Sequence, residues 1–95
     1  MIEIIDEASN EIDEAFDWYL KRSIRAASEF QRRLKNALMQ IDASPWLGTL
    51  FTEDAYWVRI KKYPYLLIYQ NRTPIIRVIA VAHQSRRPGY WVKRV

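Results

Sequence analysis

The chain has 95 residues, 49% hydrophobic and 27% charged, with thirteen aromatic residues and no cysteine. That is enough for one modest core, so a single domain over 1–95 is expected, with no disulfide, thiol nucleophile or cysteine-bound metal. The net charge of +4 hides an asymmetry: residues 1–20 carry seven acids and no base, whereas residues 55–95 carry nine bases and no acid. Positive potential focused in this way favours an acidic or polyanionic partner, unless the acidic opening folds back and neutralises it.

In chain order, "MIEII" is a short apolar strand candidate. The acids that follow leave no basic-then-apolar leader, and no stretch approaches the ~20 apolar residues of a membrane helix. A cytoplasmic protein without membrane contact is therefore expected. Asp6 is a candidate N-cap, and Ala8, Ile12, Ala15, Phe16 and Tyr19 recur at spacings of three and four, which predicts an amphipathic helix over about 7–21. Ser23 is a plausible cap for a second helix carrying Ala27, Phe30, Leu34, Ala37, Leu38 and Ile41, stopped by Ser44-Pro45. So short a connection implies an antiparallel helical hairpin.

From Tyr56 the period becomes two. "YWVRIKK" places Tyr56, Val58 and Ile60 on one face and Trp57, Arg59 and Lys61 on the other. Tyr63-Pro64 marks a turn, "YLLIYQ" a second strand, "NRTP" another turn and "IIRVIAVAH" a third strand. The near-continuous apolar character of that last strand predicts a central strand covered on both faces. The expected order is β-α-α-β-β-β, an α+β fold with a helical hairpin on a small, mainly antiparallel sheet.

The chemistry-bearing residues lie in the basic half. His83, the single histidine, is of the residue type that can serve as acid or base, and its cationic neighbours favour a base. Arg59 and Lys61 are two apart, and Arg77 and His83 six apart, so each pair shares a face on a regular strand. Arg86 follows, and Tyr90 can stack on a base or donate a proton. Each has a structural alternative. His83 can donate to a backbone carbonyl, and Arg59 can pair with an acid of the first helix. Lys61 and Lys62 can protect a sheet edge. Tyr65 and Tyr69 can be core or rim, and Tyr90 and Trp91 can pack the tail on the sheet. One histidine makes a zinc site improbable, and two glycines cannot build a phosphate-cradling loop. No cofactor or metal is expected.

The ordered set Arg59…Pro64-Tyr65…Tyr69…Val78-Ile79-Ala80-Val81…His83…Arg86…Pro88…Tyr90-Trp91…Arg94 resembles the RelE/ParE superfamily of toxins from type II toxin–antitoxin modules. The likeness is to the ParE-like, or plasmid stabilization, group. "EAFDWYLKRS" and "EFQRRLKNALMQIDASPWLG" extend it over essentially the whole chain. The resemblance implies the hairpin-on-sheet fold and a bacterial toxin neutralised by a cognate acidic antitoxin, in a possible hetero-oligomer. It implies one of two targets, DNA gyrase for ParE-like members or ribosome-bound mRNA for RelE-like nucleases. Some relatives have no demonstrated toxicity, which leaves a non-toxic partner-binding module as a further alternative.

Carried onto this sequence, the nuclease roles fall on Arg59, Lys61, His83, Arg86 and Tyr90. No carboxylate follows Asp54, so a glutamate base would have to be Glu53. The His-x-x-Arg-x-Pro-x-Tyr-Trp ending looks more like the ParE-like group, and inhibition of a DNA-replication target is the primary expectation.

Overall fold

The computed structural model describes residues 1–52 and 54–95. Strand β1 (Ile2–Ile4) leads into helix α1 (Asp6–Leu20), which turns back through residues 21–23 into α2 (Ile24–Ala43). Four strands follow: β2 (Thr49–Thr52), β3 (Ala55–Arg59), β4 (Tyr65–Arg72) and β5 (Ile75–His83). A single 3₁₀ turn (Val92–Arg94) ends the chain. The strands form one sheet in the order β1-β5-β4-β3-β2, antiparallel except for the β1–β5 pair.

Both helices lie where the apolar spacing predicts. Ser23 caps α2, its hydroxyl accepting from the Ala26 N–H at 3.1 Å. Asp6 does not cap α1: it is the first helical residue, and Ile5 holds the cap position without a side-chain bond. Its charge still lies in the first turn with Glu7, where the helix dipole favours acids. Between Pro45 and Ala55 the sequence shows no clear alternation and predicts no strand. β2 forms there because it pairs antiparallel with β3, Thr49 opposite Trp57 and Leu50 opposite Tyr56.

The sheet is covered on both faces, which accounts for the unbroken apolar run of β5. On one face Ala8, Ala15, Phe30, Leu34 and Ile41 of the helices pack on Leu67, Tyr69, Ile76, Val78 and Val81. Tyr19, Phe30 and Tyr63 close this core with ring centroids 5.0–5.6 Å apart. The Tyr63 hydroxyl ties it to α2 by donating to the Ala26 carbonyl at 2.7 Å. The opposite, outer face is narrower. Ala55, Ile68, Ile79, Ala80 and Ala82 are covered there by the tail, whose Trp91 is 2% exposed. Burying a side chain of that size contributes roughly 3 kcal/mol.

One irregularity in β5 decides which way its side chains point. Ile68 pairs with Ala80 but Tyr69 pairs with Val78, so Ile79 is an extra residue in the strand. Such a bulge reverses the alternation of side chains beyond it. Val78 and Val81 consequently both face the helices, while Ile79, Ala80 and Ala82 face outward.

Candidate functional site

The tail over residues 84–95 crosses the outer face and is fastened to α1 by one carboxylate. Beyond Ile4 the chain leaves the sheet for α1, so past Val78 the β5 edge has no neighbouring strand. Buried backbone groups need partners, and two long side chains supply them. The Glu11 carboxylate accepts from the Val81 N–H at 3.0 Å, and Arg94 Nη1 donates to the Ile79 carbonyl at 3.1 Å. Arg94 Nη1 and Nη2 also reach the two Glu11 oxygens at 2.9 and 3.3 Å, and the Tyr90 hydroxyl donates to Glu11 Oε2. The Glu11 side chain is 11% exposed.

Burial, followed by the hydrogen bond to Glu11, pushes the Tyr90 phenol far above its ordinary range. Burial alone would lower the Arg94 guanidinium, but the Glu11 hydrogen bond and charge overcome it and raise Arg94 above its usual value. In the sequence Glu11 is one of seven acids within residues 1–20. The available signal is its place in the apolar stripe, three residues after Ala8 and four before Ala15.

The sequence-predicted residues converge in part: His83, Arg86 and Tyr90 line one apolar cavity of about 190 Å³, and Arg59 and Lys61 lie outside it. Arg59 ends β3 and is exposed, on the outer-face register of Ala55 and Trp57. It makes no ion pair with α1 among the described residues. Lys61 and Lys62 are not edge-strand lysines and do not continue β3. They lie in the turn after it, Lys62 with φ of 71°, and β3 is an interior strand. His83 pairs with Tyr65 across β4–β5, their rings 5.0 Å apart, on the face that carries the helices. Arg77 lies on the other face, bonded to Gln70 and the Arg94 carbonyl. The expected common face for Arg77 and His83 is thus corrected by the bulge at Ile79, which turns His83 over. Glu53 lies outside the described residues.

His83 does not donate to a backbone carbonyl through Nδ1. That atom accepts from the Ser85 N–H at 3.0 Å and lies 2.7 Å from Ser85 Oγ, which leaves the ring proton on Nε2. The ring borders an open cavity of about 400 Å³ shared with Glu14, Trp18, Tyr19 and Tyr65. Burial raises the phenols of Tyr19 and Tyr65. Arg86 stands over the Tyr90 ring at 4.0 Å, so these two do come together, with the Tyr90 hydroxyl committed to Glu11. In keeping with their structural alternative, Tyr90 and Trp91 pack the tail on the sheet, and Tyr69 is core.

The charge asymmetry survives folding in part. Among the described residues, ion pairs engage Arg72 with Asp54, Arg77 with Glu3 and Arg94 with Glu11. The other six bases of the C-terminal half have none among the described residues. Among the described residues no three His, Asp or Glu side chains gather as a metal site would require, and no helix is long and apolar enough to cross a membrane.

A family model described as the ParE toxin of the type II toxin–antitoxin system, parDE, matches residues 2–88. The chain belongs to the ParE toxin family. The solved structure of the isolated Escherichia coli RelE toxin shares the fold of this toxin with a TM-score of 0.63. The two are 23% identical, and the match covers 99% of this chain and 96% of that one. Among curated proteins none matches. The toxin is therefore a RelE/ParE superfamily member built as a helical hairpin on a sheet, and membership of a toxin–antitoxin module implies an antitoxin partner.

Proposed function

We propose that this ParE-family toxin acts in the bacterial cytoplasm by binding a DNA-replication target such as DNA gyrase, and that a cognate acidic antitoxin neutralises it. The observation that carries the reading is that the Tyr90 hydroxyl, the candidate proton donor, is committed to Glu11, while Arg59 and Lys61 lie outside the cavity that His83, Arg86 and Tyr90 line. Metal-independent RNA cleavage needs a base, an acid and fixed cations around one phosphate. Here Arg59 ends β3 and Lys61 lies in the turn after it, outside the cavity shared by His83, Arg86 and Tyr90, and the Tyr90 hydroxyl is bound to Glu11. A protein-binding mode of action asks for no such convergence. The exposed aromatic and cationic surface suits an acidic protein partner.

Induction of the toxin without antitoxin tests this by pulse labelling. DNA synthesis is expected to fall before protein synthesis, and His83→Ala is expected to keep wild-type potency. An early fall in protein synthesis, relieved by His83→Ala while the variant stays folded and antitoxin-bound, would instead assign mRNA cleavage to Arg59, Lys61, His83, Arg86 and Tyr90. Neither effect from an abundant, folded chain would leave a non-toxic partner-binding module.

A further inference from the structure

The acidic opening of the chain is only partly used by the fold. Glu3 and Glu11 pair with Arg77 and Arg94. Asp6, Glu7, Asp13, Glu14 and Asp17 are exposed and form no ion pair among the described residues. Exposed acids alone specify no ligand. One of them, however, borders a cavity whose walls are largely aromatic.

Glu11, Glu14 and Trp18 are three and four residues apart, so they lie on one line along α1. Opposite that line β4 begins and β5 ends, with Tyr65 and His83 paired, and the open cavity of about 400 Å³ lies between. Its aromatic lining is Trp18, 51% exposed, with Tyr19 and Tyr65. Tyr19 joins the other two, its ring centroid 5.0 Å from Trp18 and 6.5 Å from Tyr65, so the three form a continuous wall. Burial, and then the Glu14 charge, raises the Tyr65 phenol. Glu11 is committed to Arg94, Tyr90 and the Val81 amide. Glu14 is thus the carboxylate of the cavity that has no bonded partner among the described residues.

Aromatic rings with a carboxylate beside them recognise cations, because the ring quadrupole and the negative charge attract the same group. A guanidinium suits both at once: it is planar, stacks on rings and meets a carboxylate with two donors. The chain already uses this chemistry at the borders of the cavity. Arg22 stands over Trp18 at 3.6 Å within a neighbouring cavity, and Arg86 stands over Tyr90 at 4.0 Å.

We propose that the cavity between α1 and the β4–β5 pair seats an arginine side chain of the protein target, stacked against Trp18 and Tyr65 and paired with Glu14. The occupant rests on the reading of this chain as a toxin that binds a protein target. The other exposed acids of α1 steer a basic segment toward the cavity. They repel an acidic antitoxin segment and a nucleic acid alike, which separates this surface from the cationic one.

The test uses the full toxin with Nα-acetyl-arginine methylamide as probe, followed by heteronuclear NMR at the Trp18 indole and the amides of α1 and β5. The arginine probe should give saturable shifts there, and the matching glutamate derivative none. Glu14→Gln and Trp18→Ala should each weaken probe binding about threefold, and Glu14→Lys about tenfold or more. Both positions are exposed, and circular dichroism checks that each variant folds. In cells, Glu14→Lys should lose inhibition of DNA synthesis while still binding the antitoxin.

No saturable shift at Trp18, or equal shifts from the glutamate derivative, would overturn the site. Equal binding of the lysine derivative would overturn the choice of a guanidinium. A Glu14→Lys toxin that loses the probe and keeps full potency would overturn the target as the source of the arginine. A wild-type toxin that binds the probe yet leaves DNA synthesis untouched would remove the functional reading, and uphold the cation site.

Discussion

Replacing Glu11 by alanine should unfasten the tail from α1. The carboxylate accepts from the Val81 N–H, the Tyr90 hydroxyl and both terminal nitrogens of Arg94. Glu11→Ala leaves the Val81 amide without its partner and strands a guanidinium that is 19% exposed. Breaking a buried pair by removing one partner costs ~3–5 kcal/mol, and some solvent access at Arg94 places this case near the lower end. About 3 kcal/mol is a large part of the roughly 5–15 kcal/mol available to a domain of this size. Glu11→Gln keeps an acceptor for Val81 while losing the charge, and should cost about 1–2 kcal/mol.

Urea unfolding followed by far-ultraviolet circular dichroism measures both losses. Thermal melts should show Glu11→Ala lower in Tm by at least about 10 °C. A cycle combining Glu11→Ala with Tyr90→Phe should give a coupling of about 1 kcal/mol or more, because the two side chains share one bond. A Glu11→Ala protein within about 0.5 kcal/mol of wild type would refute the tail lock, since surface changes of no consequence fall in that range.

Two further predictions concern the fold. Tyr19, Tyr63, Tyr65, Tyr69 and Tyr90 all have phenols raised by burial, Tyr90 most of all. The unfolded chain therefore gives up these protons first, near pH 10, so stability is fully present below that pH and falls as pH rises beyond it. Urea midpoints measured from pH 8 to 11 should decline above about pH 10, less steeply in Tyr90→Phe; a flat profile would contradict the burial. Gly48 approaches the core too closely for a side chain: a Cβ there would stand 2.6 Å from Tyr69 Oη and 3.0 Å from the Trp57 carbonyl. Tyr69 is buried, donates to the Pro45 carbonyl and accepts from the Gly48 N–H, so it cannot retreat. Gly48→Ala should cost about 1–3 kcal/mol in chemical denaturation, and a neutral outcome would show that the loop before β2 yields.

Much of this architecture is legible in the order of the residues. The two helices follow from apolar residues at helical spacing and from Ser23 at the second N-terminus, because helix formation and capping are decided by residues three or four apart. The strands at Tyr65 and Ile75 follow from β-rich runs bounded by turn residues, and the family resemblance follows from the ordered residues of the basic half. β2 lacks such a signature. "TLFT" is four exposed residues whose strand character comes from pairing with β3, not from its own alternation.

The candidate site is less legible, for a physical reason. Strand alternation predicts a common face for Arg77 and His83 as long as the strand is regular, and one inserted residue, Ile79, reverses it. That bulge is a property of the register between β4 and β5, which no local pattern in β5 encodes. The residues themselves determined the composition of the surface, the acid-to-base polarity of the chain, the helical hairpin and the apolar strands. Tertiary structure alone decided that Glu11 would hold Tyr90 and Arg94, 79 and 83 positions away. It also decided that the tail would cover the outer face and that β2 would be left as the open edge. Contacts at such separation depend on where the whole sheet ends, and a strand edge beyond the reach of β1 had to find its partners in side chains.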